Sequence, residues 1–129
     1  MTTLIAFIAV FVPLVVFHEL GHFITAKLAG VKVEEFGIGL LPRIFGFRRG
    51  DTDYIVSMLP LGGYVKMVGE NPDDELRGSD LEYLSKPKWQ RLIILLAGPA
   101  MNVILAFVLT VGVYQLGIRV AADADDPVV

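Results

Sequence analysis

Cysteine is missing from these 129 residues, which rules out disulfides and leaves any bound metal to nitrogen and oxygen donors. Histidine is nearly missing too, with His18 and His22 the only two. Basic charge is absent from the start of the chain: no Lys or Arg precedes Lys27. A secretory signal peptide, the competing reading of this end, lacks its basic n-region here, and the opening apolar run exceeds a typical h-region. The net charge of −3 is small and the basic residues are not clustered with aromatics, so no nucleic-acid partner is indicated. Internal repeats and low-complexity tracts are absent as well.

What the chain does have is hydrocarbon. Hydrophobic residues make up 54% of it and its mean hydropathy is +0.62, too apolar for an ordinary soluble domain. The apolar residues are concentrated in two runs of 25, Thr2–Ala26 and Leu92–Leu116, each long enough to cross a hydrocarbon core of ~30 Å at 1.5 Å per residue. The second run holds no charge and the first holds only Glu19. The expected fold class is an α-helical polytopic membrane protein with a small membrane-associated β-sheet and two transmembrane helices.

The lone carboxylate stands between the two histidines, in Phe17-His18-Glu19-Leu20-Gly21-His22-Phe23. On a helix, residues four apart share a face with Cβ atoms ~5–6 Å apart, so both imidazoles can reach one ion about 2 Å from each. Glu19, one residue on, flanks that ion, where a carboxylate could take a proton from activated water. An acidic residue at mid-helix costs about 2.5–3.5 kcal/mol on insertion scales. Metal binding and a water-filled cavity would offset that cost, and no nearby Lys or Arg does. Two other readings use the same residues: helices glued by hydrogen bonds, which needs no particular spacing, and a proton or ion pathway.

Taken in order, residues 1–27 form the first span, with Pro13 able to kink it one turn before the motif. Ten of the eleven Lys and Arg residues lie between Lys27 and Arg91, which places that loop in the cytoplasm and the motif nearer the cytoplasmic face, roughly 13 Å deep. Residues 28–70 alternate apolar and polar between glycines and prolines, predicting three or four short strands with a turn at Arg49-Gly50-Asp51. So apolar a sheet needs cover, from the membrane interface or from the helices. Residues 71–91 form a loop: an acidic turn at Asn71–Glu75, a capping box Ser79-Asp80-Leu81-Glu82 opening a short helix before Pro87, and an interfacial anchor Lys88-Trp89-Gln90-Arg91. Residues 92–117 form the second span, in which Gly98 and Ala100 allow close helix packing and Asn102 needs a partner, in the packing or at the site. Residues 118–129 are acidic and emerge on the far side.

Three motifs in order carry a resemblance: His18-Glu19-Leu20-Gly21-His22, then Pro60-Leu61-Gly62-Gly63-Tyr64-Val65-Lys66-Met67, then Ala97-Gly98-Pro99 with Asn102. The chain resembles the N-terminal part of a site-2-protease-type intramembrane zinc metalloprotease, of the bacterial kind that cuts membrane-bound anti-sigma factors. The resemblance implies Zn2+ held by His18 and His22, with Glu19 as general base. It also implies that the sheet offers an edge to an unwound substrate helix, with Gly62 and Gly63 permitting close backbone approach, and that Gly98 and Asn102 lie near the active site. The implied partners are a single-span membrane protein as substrate, the lipid bilayer of a bacterial inner membrane, and further C-terminal helices of the same multi-pass protein.

In that family the third zinc ligand is an aspartate from a later span, beyond one or more PDZ domains. Asp123, Asp125 and Asp126 lie on the wrong side to replace it. The expectation is therefore a fragment, inactive alone, of a larger peptidase. The competing expectation is a non-catalytic module that binds zinc weakly or docks on other helices.

Overall fold

The computed structural model describes residues 1–117, so the acidic stretch 118–129 with Asp123, Asp125 and Asp126 lies outside the described residues. Two helices dominate, and both are long and apolar enough to cross a membrane. Helix α1 covers Thr2–Leu28 and contains Pro13. It stops where Gly30 takes φ +74, with the Gly30 N–H donating to the Lys27 carbonyl at 3.1 Å; only glycine adopts that left-handed turn without strain. Helix α2 covers Lys88–Leu116, begins after Pro87 and is closed by Gly117 in the left-handed region. The predicted anchor Lys88–Arg91 is therefore the first turn of α2, and Trp89 on it is 61% exposed.

The helices run antiparallel. His22 meets Ile94 while His18 meets Asn102, so one chain rises as the other falls. They pack closely at Gly21, where an added Cβ would collide with the Ala97 carbonyl and stand 2.7 Å from Met101 Cγ. The buried residues of α2, Ile94, Gly98 and Leu105, form one stripe at spacings of four and seven.

Between the helices lie two strands, β1 at Val33–Arg49 and β2 at Thr52–Met67, paired antiparallel around the expected turn at Gly50-Asp51. Here the structure corrects the sequence reading: two long strands replace three or four short ones. Each long strand is bent and used twice. Residues 35–38 of β1 sit between two stretches of β2, facing Lys66–Gly63 on one side and Asp53–Val56 on the other, while 43–49 pairs with 57–52. Register shifts along β1 and glycines at 37, 39 and 46 let the strand fold back without breaking. The near half of the sheet is packed. Val33 and Met67 join Ala26, Val31, Tyr83 and Ile94 in the core, and Phe36 and Tyr54 surround Phe23 of α1. The far half is bare, with Leu41, Ile44, Phe45 and Met58 exposed.

The short helix predicted from the capping box does not form. Only a 3-10 turn, Tyr83–Ser85, is present. Ser79 Oγ accepts from the Leu81 N–H at 3.2 Å, and Glu82 is turned inward, buried, with its carboxylate accepting from the Arg77 N–H at 2.8 Å. The side chain expected to cap a helix is spent tying back the loop. The acidic turn 71–75 is exposed, as expected of a solvated loop.

Candidate metal centre

Periodicity brings His18 and His22 onto one face of α1, and the antiparallel partner decides what they meet. Their rings lie 4.8 Å apart, centroid to centroid, at 77° to each other. Below both is Gly98 of α2. A Cβ added at Gly98 would stand 2.7 Å from His18 Nε2 and nearer still to His22 Nε2. The two Nε2 atoms therefore converge on a space that exists because residue 98 has no side chain.

The other ring nitrogens are engaged. His22 Nδ1 donates to the Ile94 carbonyl at 2.7 Å, which leaves the Nε2 lone pair free. His18 Nδ1 is 3.3 Å from Asn102 Nδ2, and Asn102 Oδ1 is buried without a partner. Turned end for end, which leaves its shape unchanged, the amide would accept a hydrogen bond from His18 Nδ1–H through its otherwise orphaned oxygen. Both imidazoles would then offer Nε2 to one point, each oriented through its second nitrogen as metal-ligating histidines usually are. These residues fit a zinc ion. They would supply two protein ligands, and no group of three or more His, Cys, Asp or Glu among the described residues could hold a metal.

Glu19 and the glycine pair share the next space. A cavity of about 380 Å3 is lined by His18, Glu19, Gly62, Gly63 and Asn102, with Phe11, Leu14 and Val15 completing its wall. A Cβ on Gly63 would stand 2.8 Å from Glu19 Cγ and 3.0 Å from Val15 Cγ1, so β2 reaches the carboxylate only as bare backbone. Gly62 is less constrained: its added Cβ would meet Leu40 at an ordinary 3.6 Å. Five of the six residues singled out in the sequence thus line one cavity, and His22 stands outside its lining, next to His18 over Gly98.

Some contributors were not legible beforehand. Ile94 acts through its carbonyl, and no side-chain pattern signals a backbone acceptor. Tyr64 lies over Gly37, whose added Cβ would fall inside the ring, and donates to Glu35 Oε2 at 3.0 Å. Burial, and then the bond to Glu35, push the Tyr64 hydroxyl above the ordinary phenol range.

A paired-histidine centre on an apolar helix, facing a glycine-lined strand, defines a class of metallopeptidase-like arrangements. Residues 6–125 match peptidase family M50, and the chain belongs to that family. This bears out the resemblance to the site-2 proteases. Among its relatives, "Zinc metalloprotease RasP" of Bacillus licheniformis is 52% identical over 73 residues, 57% of this chain and 17% of that protein. "Regulator of sigma-W protease RasP" of Bacillus subtilis is 51% identical over 71 residues, 55% of this chain and 17% of its own length. A relative from Fusobacterium nucleatum is 40% identical over 126 residues, 97% of this chain and 36% of its own. The chain thus spans between about a sixth and a third of these relatives.

Proposed function

We propose that the chain is the N-terminal catalytic half-site of a membrane-embedded zinc endopeptidase that hydrolyses peptide bonds within the membrane-spanning segment of a single-span protein, an anti-sigma factor being one such substrate. The observation carrying this reading is the convergence of two Nε2 atoms over Gly98, with Glu19 and the Gly62-Gly63 backbone around the adjoining cavity. His18 and His22 are the proposed ligands, and the remaining protein ligand comes from outside the described residues. Both helices span the bilayer of a bacterial inner membrane, the loop between them cytoplasmic, with the far half of the sheet against lipid.

Zinc, when bound, polarises a carbonyl and lowers the pKa of water to near 7. The chain's own residues do the rest. Glu19 takes the proton from the attacking water and passes it to the leaving nitrogen. With its amide oxygen turned towards His18 Nδ1, Asn102 joins the Ile94 carbonyl in holding both imidazoles in one tautomer and orientation. β2 presents backbone at Gly62 and Gly63, where an extended peptide can pair with it. A helical peptide bond has its carbonyl tied up, so the substrate helix has to unwind before attack. The apolar cavity wall keeps bulk water from the reacting bond.

The test is cleavage of a membrane-embedded substrate by the full-length protein carrying Glu19→Gln. The expected result is loss of cleavage with zinc retained. Cleavage at the wild-type rate would remove Glu19 from the mechanism and overturn the reading.

A further inference from the structure

The cavity beside Glu19 has a wall that no motif accounts for. Phe11, Leu14 and Val15 line it on the N-terminal side of His18, and the positions 11, 14, 15 and 18 share one helix face. All three are half-buried, while Val10 and Pro13 beside them are exposed. Gly62 and Gly63 border the same space without side chains, Gly63 packed close on Val15, so the volume of about 380 Å3 is bounded partly by hydrocarbon and partly by bare backbone. The polar side chains that line it, His18, Glu19 and Asn102, come from neighbouring turns of the two helices. An apolar body with a few convergent polar groups is how a ligand site fixes orientation.

We propose that Phe11, Leu14 and Val15 form a specificity subsite that receives the substrate side chain adjoining the scissile bond, and that it selects aliphatic or aromatic side chains over glycine and over carboxylates. This rests on the peptidase reading above. An extended peptide sends successive side chains to opposite faces. One laid along Gly62-Gly63 with its reacting carbonyl near Glu19 turns a neighbouring side chain into this space. A carboxylate there would be desolvated beside Glu19 with no Lys or Arg on the walls, whereas an apolar side chain only leaves water. Discrimination by a missing methylene in such a pocket runs to about 10–200-fold in kcat/KM.

The experiment uses the full-length protein in phospholipid vesicles and one membrane-spanning substrate varied as Leu, Phe, Ala, Gly or Asp at the residues flanking the cleaved bond. Wild type is expected to favour Leu and Phe over Gly and Asp by about tenfold or more. Leu14→Trp, which fills the cavity, should lower kcat/KM for Leu and Phe about tenfold more than for Ala, and Phe11→Ala should shift preference towards Phe. Leu14→Met, of similar volume, should keep the wild-type order. Zinc content is measured on each variant to separate lost selectivity from a lost site. Unchanged preference in both Leu14→Trp and Phe11→Ala, or an equal drop across all five substrates, overturns the subsite and leaves the peptidase reading standing. A wild-type protein that cuts no member of the series overturns both.

Discussion

At the scale of single residues, the site depends on what is absent from two of them. Gly98 leaves open the space on which the histidine Nε2 atoms converge. Gly98→Ala should therefore abolish tight zinc binding, read as metal per protein by atomic spectroscopy after gel filtration of the full-length protein. Full occupancy would show that the ion sits elsewhere. Gly63 differs in kind, because its missing Cβ makes room for Glu19 rather than for the histidine nitrogens. Gly63→Ala should keep the zinc and lose about 10²-fold or more in kcat, the scale of a displaced catalytic group. Zinc and turnover thus separate the two glycines, and equal behaviour in both assays would contradict the assignment. The sequence announced the proposed ligands because helical spacing alone puts His18 and His22 on one face. It left Asn102 undecided between packing and the site, because its partner is 84 residues away and only the antiparallel register brings them within 3.3 Å.

At the scale of elements, the two helices were legible from hydropathy and length, which act locally and uniformly along 25 residues. The sheet was legible only in outline. Alternation and glycines marked strands but not that residues 35–38 would serve two neighbours at once, since pairing between distant stretches leaves no local trace. Glu82 was misread for a related reason: a capping box is a short-range pattern, and a longer-range backbone donor, the Arg77 N–H, captured the carboxylate instead. Within the hairpin, Tyr64 clamps β2 to β1 by covering Gly37 and bonding Glu35. Tyr64→Phe keeps the ring and removes one hydrogen bond, so it should destabilise the hairpin by about 0.5–1.5 kcal/mol. The hydroxyl's pKa is raised in the folded state, so its contribution is present below the ordinary phenol pKa and fades as pH rises through the folded value. Ultraviolet titration of tyrosinate checks the direction: Glu35→Gln should bring the Tyr64 transition down. Between the helices, Gly21→Val should push α1 from Ala97 and weaken both the pair and the metal site, seen as a lower midpoint in thermal unfolding together with reduced zinc content.

At the scale of the whole molecule, the surface is the argument. Leu41 is 83% exposed, Ile44 67% and Met58 62%, all on the far half of the hairpin, and the helices carry comparable apolar surface. Exposed apolar area on this scale marks contact with lipid or protein rather than water. The loop at 71–81 is of opposite character, with Asp73, Asp74, Glu75 and Asp80 all exposed. Because these 129 residues hold no cysteine, single introduced thiols report on the two regions without interference from this part of the protein. With other cysteines of the full-length protein replaced, Glu75→Cys should react quickly with a membrane-impermeant maleimide in inverted vesicles, whose cytoplasmic face is outward, and slowly in right-side-out ones. Leu41→Cys, no less exposed by geometry, should resist the reagent in both until detergent is added, because its surroundings are hydrocarbon and the thiolate that reacts does not form there. If Leu41→Cys reacted as fast as Glu75→Cys in intact vesicles, the hairpin would stand in water. The cavity beside Glu19 would then open to solvent rather than to a substrate helix within the bilayer.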